Sequence, residues 1–374
     1  MKGIAQGKCA EMRIKMVLAS EFNIDLMNIL PDLSMIDRFL EDLIPGSRLQ
    51  TKQLIENMLK GNWVLEPKIF LQYLKEIIEN GLGECKHLFI SILVLFILSA
   101  VLNSLMTAFH NNGMAKMTRL FLILCQFAVL LNAFSNVKDI VTDTMTSMLE
   151  FLKVAIPTYM MCVAATGSGL TAMIFYKLLL GMMCLVEGIV AAALIPVVEW
   201  YVMLGILEGI CGEDRFRGLM ELIKKTVQWI SKGMIILLSG SGFLQILITP
   251  VIDKTNVTFM RKTVSAIPGI GDIAESVSNI TIASAIAVKN SLGVVILLVL
   301  ILIIMIPLIK VFLILTVIKL GGAIGSISGE KQMADCVDCT SDAGFLLLRI
   351  LVTVTTLFFI AIAAITNATG GSIT

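Results

Sequence analysis

The sequence predicts an all-α fold, a polytopic membrane helix bundle of about six to eight spans with a small N-terminal helical domain. The first observation is the run Ser291–Ile309, which has no charged residue. It approaches the roughly 20 apolar residues that cross a bilayer core. The second is composition, because 57% of residues are hydrophobic and 15% are charged, whereas soluble domains carry about 25% charged residues. The third is that several weaker apolar runs accompany the strongest one.

Residues 1–86 are predicted to form the N-terminal domain, which is polar to amphipathic and expected to be extracytoplasmic. One helix presents an apolar stripe at helical spacing, formed by Leu54, Ile55, Met58 and Leu59. A second helix is expected to begin at Pro67, because the missing N–H is harmless in a first turn. The unit is short for an independent core, so we expect it to pack on a partner or on the membrane. Met1–Ser20 contains no apolar segment long enough for a secretory signal.

Residues 87–374 are predicted to form the transmembrane domain. The segment Phe151–Ala165 contains Pro157 and is predicted to be a kinked or short span. The segment Val197–Ile210 is either a separate span or a re-entrant continuation of the segment before it. The candidate segments, in order, are Leu88–Phe109, Leu120–Phe134, Phe151–Ala165, Leu170–Pro196, Val197–Ile210, Trp229–Thr249, Leu292–Ile318 and Phe345–Thr366.

Positive charge in short loops marks the cytoplasmic side of a membrane protein. With about eight spans, three basic loops fall on one side and the N-terminal domain falls on the other. The basic residues of these loops are Lys116, Arg119, Arg215, Arg217, Lys224, Lys225, Lys319 and Lys331. Lys254, Arg261 and Lys262 oppose this orientation, because they would lie outside.

An amphipathic or re-entrant region is predicted around residues 250–290. Pro268, Gly269 and Gly271 form a helix break, and Asp272 can cap the helix that follows. Such a break can form a re-entrant hairpin that lines a cavity. A pair of helices lying on the membrane surface is the alternative.

Several polar residues near or within the apolar runs are candidates for a polar path or for packing. Lys177 and Glu187 lie in one run about 15 Å apart along a helix. They face a bundle interior or, alternatively, Lys177 snorkels from a span end and Glu187 marks a loop. Lys310 follows Pro307, whose ring can kink the helix; alternatively the span ends near Ile309 and Lys310 reaches the interface. Lys289 and Asn290 are further candidates.

No catalytic residue, metal site or cofactor site is predicted, and we expect no enzymatic activity. Cys336 and Cys339 form one Cys-x-x-Cys pair, but a zinc site would need two more ligands. The chain contains no G-x-x-x-x-G-K-[ST] phosphate-binding loop, so any ATP hydrolysis must come from another chain. Small residues, among them Gly205 with Gly209, are expected to let helices approach closely. The net charge of +1 gives no indication of nucleic-acid binding.

The order of these features resembles one family. The stretch Ala266–Asp272 (AIPGIGD), then Ala287–Gly293 (AVKNSLG), then the long span with Pro307 and Lys310, is similar to stage III sporulation protein AE. The amphipathic domain before the first span is similar too. The likeness extends from about residue 25 to the end of the chain and supplies no catalytic residues. Family members can begin with a signal peptide, which this chain does not match.

The resemblance implies a multi-pass protein of the mother cell membrane around the forespore. There the family belongs to a channel or secretion-like complex that supports forespore development and gene expression. The implied partners are other stage III sporulation membrane proteins, a separate ATPase and a forespore partner protein, besides the lipid bilayer. The alternative is a stand-alone permease-like transporter of a small molecule or ion, which would use a site built on broken helices.

Overall fold

The structure, a computed structural model, consists of long helices. It describes residues 33–43, 51–59, 67–108, 112–164, 169–211, 215–237, 271–327 and 329–368, and contains no strand within these ranges. The helices are α1 (Ser34–Leu43), α2 (Thr51–Leu59), α3 (Pro67–Ala108), α4 (Asn112–Ala164), α5 (Gly169–Ile189), α6 (Ile195–Cys211), α7 (217–237), α8 (Gly271–Ser326) and α9 (Lys331–Ala368).

The described chain has five segments long and apolar enough to cross a membrane. They are Ile77–Leu105, Lys116–Val163, Leu180–Ile210, Ala287–Ser326 and Lys331–Ala363. The all-α membrane bundle predicted from the sequence is therefore confirmed, with five such segments where about six to eight spans were predicted. The predicted span Trp229–Thr249 is described only as far as residue 237, within α7.

Two pairs of predicted segments are joined into single helical paths. Leu120–Phe134 and residues 151–164 of the predicted span Phe151–Ala165 both belong to α4, whose 53 residues extend over about 80 Å. The intervening residues continue the helix because their apolar positions keep a helical spacing. Pro157 is accommodated inside α4, and the next hydroxyl, Thr158 Oγ1, donates to Val154 O at 3.1 Å. Ser and Thr side chains commonly satisfy carbonyl groups near a proline in membrane helices.

The second joined pair is α5 and α6. A single π-helical turn, Val190–Leu194, connects them, and the Ile195 N–H donates to Val190 O. Pro196 follows immediately in α6 and has no N–H of its own. A π-type bond beside a proline is a recognised cause of helix bending. The predicted boundary between Leu170–Pro196 and Val197–Ile210 therefore coincides with a real irregularity in one continuous path.

Helices α8 and α9 form an antiparallel hairpin. Gly329, with φ of 83°, lies in the connection, and a left-handed conformation of this kind favours glycine. The chain reverses there, so Lys319 near the end of α8 faces Asp338 near the start of α9.

Glycines let α3 and α6 pack closely against this hairpin. Ile92 and Phe96 of α3 lie directly over Gly321 and Gly325 of α8, where an added Cβ would overlap the aromatic ring of Phe96. The packing of α6 on α9 uses Gly205 and Gly209, against which the sulfur atoms of Cys339 and Cys336 lie, respectively. Gly205 and Gly209 therefore lie where α6 packs closely on α9, as predicted for small residues between membrane helices.

The described part of the N-terminal unit packs on the bundle. The Thr51 N–H at the start of α2 donates to Asp37 Oδ1 of α1 at 2.6 Å, which fixes the two helices together. Leu54 and Ile55 are buried, and both short helices contact α8. This packing on the remainder of the chain provides the apolar contacts that so short a unit lacks alone.

Candidate functional site

Five helix termini meet at one end of the bundle, which we call the basic end. Here α3, α6 and α8 finish, and α4 and α9 begin. Contacts across the termini establish this arrangement, because Glu330 bonds Asn103 and Arg119 and Gly209 contacts Cys336. The predicted basic loops therefore lie at the same end of the described bundle.

A three-residue polar cluster joins α3, α4 and the start of α9 at the basic end. Asn103 Nδ2 donates to Glu330 Oε1 at 2.8 Å, and Arg119 Nε lies 3.6 Å from Glu330 Oε2. Only 4% of the Glu330 side chain is exposed. A carboxylate this deeply buried requires such partners, so the cluster locks the tip of the α3–α4 hairpin to α9.

A second polar layer lies slightly deeper in the bundle. Lys319 Nζ of α8 is 2.9 Å from Asp338 and 3.7 Å from Asp342 of α9. Lys224 of α7 reaches the other oxygen of Asp342 at 3.4 Å. Asp342 therefore bridges two lysines, and α7 runs back along α9 away from the basic end.

The third feature is an ion pair beside the π-helical turn. Lys138 Nζ of α4 donates to Glu199 Oε1 of α6 at 2.9 Å, and 30% and 41% of the two side chains are exposed. Glu199 lies three residues after Pro196, inside the candidate span Leu180–Ile210. Charged groups at such depth are costly and usually pair. An irregular helix combined with a charge pair is the arrangement that transport sites and moving contacts commonly use.

One face of α4 continues from Lys138 as a polar stripe, which we call the polar face. Its exposed residues are Asn132, Asn136, Asp139, Asp143, Thr146, Ser147, Glu150 and Lys153. The opposite side of the same segment is buried, with Val137, Val141 and Met148 fully enclosed. The helix therefore has a fixed orientation in the bundle, with the polar face outward.

The predicted polar-path residues lie at separate places. Lys177 is exposed on α5, just outside the candidate span, and Glu187 is half-buried within it. In α8, Lys289 is fully buried, whereas the adjacent Asn290 is exposed. Lys310 is half-buried on the same helix. These residues do not form one cluster along the two helices, since Lys289 and Lys310 alone are about 32 Å apart along α8.

The predicted helix breaks have different outcomes. Pro307 lies inside α8, which is helical from Gly271 to Ser326. Gly271 is therefore the first described residue of a long helix, and residues 271–290 continue directly into the span. Pro268 and Gly269 lie outside the described residues, as do residues 250–267 of the predicted re-entrant region.

The cysteine pair of α9 packs against α6. Cys336 is buried, Cys339 is half-buried, and both are free thiols held against α6. Cys339 Sγ lies 3.9 Å from the Tyr201 carbonyl oxygen. Within the described segments, no group of three or more His, Cys, Asp or Glu side chains is arranged to hold a metal ion.

An open depression of about 510 Å³ lies along one face of α7, lined by residues that include Glu221, Lys225 and Trp229. Lys225 Nζ lies 3.0 Å from Glu221 Oε1. This hydrogen bond and charge hold the pKa of the Glu221 carboxyl below its usual range. The named lining comes from a single helix and offers only this pair of charges, so the depression shows no catalytic arrangement.

Lys138, Glu199 and the polar face of α4 are not among the site residues that the sequence predicts. The segment 135–150 lacks a continuous apolar run, so it falls between the predicted spans Leu120–Phe134 and Phe151–Ala165. Its signal was periodicity, because polar residues recur at helical spacing from Asn132 to Glu150. Glu199 was a lone carboxylate between Pro196 and Trp200 in an apolar run, a position that marks functional residues in membrane proteins.

Comparisons with known proteins point to one family. The family described as "Stage III sporulation protein AE" matches residues 49–369. A curated relative named "Stage III sporulation protein AE" from Bacillus subtilis (strain 168) is 22% identical over 332 residues, which cover 87% of this chain and 81% of the relative. No solved structure matches the chain.

Proposed function

Because the chain belongs to the stage III sporulation protein AE family, which gives it a role in sporulation, we propose that it is a membrane component of a multi-protein channel or secretion-like complex. The complex lies in the mother cell membrane and is needed for endospore development, supporting forespore gene expression. Its partners are other stage III sporulation membrane proteins, a separate ATPase and a forespore partner protein. The chain itself is not an enzyme and binds no nucleic acid.

The observation that carries this proposal is the outward polar face of α4. Asp139, Asp143 and Glu150 are exposed on the outside of the single chain, within a segment that is otherwise long and apolar enough to span a membrane. Carboxylates facing lipid are costly, so a subunit of a larger assembly, in which this face is kept away from lipid, fits better than a protein surrounded by lipid alone.

The basic end supports an orientation for this subunit. Lysine and arginine near span ends favour the cytoplasmic side, which in the proposal is the mother cell cytoplasm. Helix α3 has 42 residues and extends about 63 Å, with its C-terminus at the basic end. Its N-terminus, and the domain before it, then lie toward the forespore, where a forespore partner would be reached.

A stand-alone permease-like transporter is the second candidate, favoured by the π-helical turn and the Lys138–Glu199 pair. Such a transporter would place its ionisable residues around a central path. Substituting Glu187→Gln and Lys177→Met would then abolish transport with the fold intact. A subunit of a larger complex would show little effect of these two changes, or would fail to assemble.

The proposal is tested by purifying the tagged full chain from sporulating cells in mild detergent and identifying the bound proteins by mass spectrometry. An untagged strain and a tagged, unrelated multi-pass protein are the controls. We expect other stage III membrane proteins and an ATPase to be enriched. Recovery of the intact chain without partners would overturn the proposal, and transport by the purified chain in liposomes would then support the transporter.

A further inference from the structure

We propose that the polar face of α4 borders water within the thickness of the membrane, as one wall of an aqueous path that other subunits complete. This inference rests on the proposed membership of a multi-subunit complex. It concerns the residues of α4 between Asn132 and Lys153 and assigns them to water rather than to lipid or to a partner helix.

The exposed residues of α4 change character along the helix. Before residue 132 the exposed side chains include Met117, Phe121 and Leu124, which are 74%, 65% and 43% exposed. From residue 132 to residue 153 every exposed position carries a polar or charged side chain. A helix that faced lipid along its whole length would continue the first pattern.

The depth of the polar face follows from the Lys138–Glu199 pair. The 2.9 Å contact places Asp139 close to the level of Glu199, which is near the centre of the candidate span Leu180–Ile210. Helix α4 leaves the basic end, whereas α6 runs toward it. Asp143 and Glu150 are therefore level with residues that precede Glu199, and Glu150 lies about 17 Å along the axis from Asp139. A bilayer core of roughly 20 residues placed anywhere within this span includes the levels of Asp139 and Asp143.

Chemistry favours water as the neighbour of this face. Lipid is excluded by the three carboxylates, since ionisable residues in membranes face a bundle interior or a water-filled cavity. A protein neighbour would have to bury the same three carboxylates, each with its own cation or hydrogen-bond donors. That requires a strongly basic membrane helix, which is itself costly to insert. Water solvates the mixture of carboxylate, amide and hydroxyl groups without any such match.

The test uses Ser147→Cys, a nearly isosteric change, and Asp143→Cys, in membranes from sporulating cells. A membrane-impermeant thiol reagent is added, and the labelled peptides are identified by mass spectrometry, so the native cysteines remain in place. The buried native Cys162 of the same helix and the variant Leu124→Cys serve as the unreactive references.

We expect residues 143 and 147 to react at least about tenfold faster than both references, because a thiol reacts as the hydrated thiolate. Failure of both positions to react in membranes, with fast reaction after the complex is dissociated in detergent, would show a covering partner and overturn the inference. Failure in both states would assign the face to the protein interior and also overturn it.

The purification of the complex from the same cells separates this inference from the proposed function. Partners recovered without labelling would leave the proposed function intact and reject the aqueous wall. Labelling of a chain that purifies without partners would reject the complex, and with it the claim that other subunits complete the path.

Discussion

Residues 112–131 and 132–153 belong to the same helix, α4, and the two halves present opposite chemistry to their surroundings. The first half exposes Met117, Phe121 and Leu124 and is fastened at the basic end through Arg119. The second half exposes only polar side chains and is paired with α6 through Lys138. One long helix is therefore not a uniform membrane span, because the polarity of its exposed side chains differs between its two halves.

The largest expected effect comes from exchanging the chemistry of the two halves. Phe121→Asp places a carboxylate on the lipid-exposed apolar half, where the insertion cost rises toward the roughly 2.5–3.5 kcal/mol of a position at the span centre. We expect a severe loss of membrane-inserted protein, measured by immunoblotting of washed membranes. Ser147→Asp adds the same group to the polar half and is the matched control, which we expect to accumulate normally. Equal losses in both variants would remove the distinction between the halves.

The sequence alone predicts the membrane class and much of the order of the helices, because an apolar run such as Ser291–Ile309 has the length that crosses a bilayer core. It does not predict the position of the polar half of α4, since an amphipathic helix has the same sequence pattern at the protein surface and within a membrane bundle. It also does not reach the Lys138–Glu199 pair, whose members are 61 positions apart. Candidates chosen by local apolarity, such as Lys177 and Lys310, therefore lie apart, whereas pairing between helices selects different residues.

The next effect concerns the packing that sets the depth of α6 beside the polar half. Gly205→Val would force a side chain into the space of Cys339, and overpacking of this kind destabilises by about 1–3 kcal/mol. We expect a lower melting temperature of the detergent-solubilised protein, measured by a fluorescence method that uses no thiol-reactive dye. Gly188→Val, on the same helical path, is the control, because a Cβ at Gly188 meets no atom within 4 Å. An unchanged melting temperature of Gly205→Val would contradict this packing.

A smaller effect is expected when the Lys138–Glu199 pair is broken. Glu199→Leu leaves the half-buried Lys138 without its carboxylate, and we expect a loss on the order of 1–2 kcal/mol at this partial exposure. The double variant Lys138→Met with Glu199→Leu should recover much of that loss, because neither charge remains at membrane depth. Thermal unfolding of the four proteins gives the double-mutant cycle. Strictly additive effects would show that the two residues are not coupled.

The polar cluster around Glu330 at the basic end should lose less stability on substitution than the Lys138–Glu199 pair. Glu330→Gln keeps an oxygen that accepts from Asn103 but removes the charge that faces Arg119 at 3.6 Å. We expect a destabilisation of about 1 kcal/mol, whereas Glu330→Ala should lose more because Asn103 is then left without this acceptor. Chemical or thermal unfolding of both variants ranks them. A larger effect for Gln than for Ala would be inconsistent with the hydrogen bond.

The smallest effect is expected for Glu221, whose pair with Lys225 is exposed on α7. The pKa of this carboxyl is lowered by Lys225, so its contribution is present at neutral pH and is lost as pH falls through the lowered pKa. Exposed pairs contribute little, and we expect Glu221→Gln to unfold like the parent protein at neutral pH. A change as large as that of Glu199→Leu would remove the contrast between an exposed pair and one at membrane depth.

The central claim is that the polar half of α4 lies at the depth of Glu199, and a crosslink tests it most directly. Lys138→Cys is combined with Glu199→Cys, and native membranes are treated with a short bismaleimide before mass spectrometry of the digested protein. The matched pair is Leu124→Cys with Glu199→Cys, whose α4 position lies about 21 Å away along the helix. We predict a 138–199 product and no 124–199 product. A 124–199 product without the 138–199 product would place the apolar half at that depth and contradict the account.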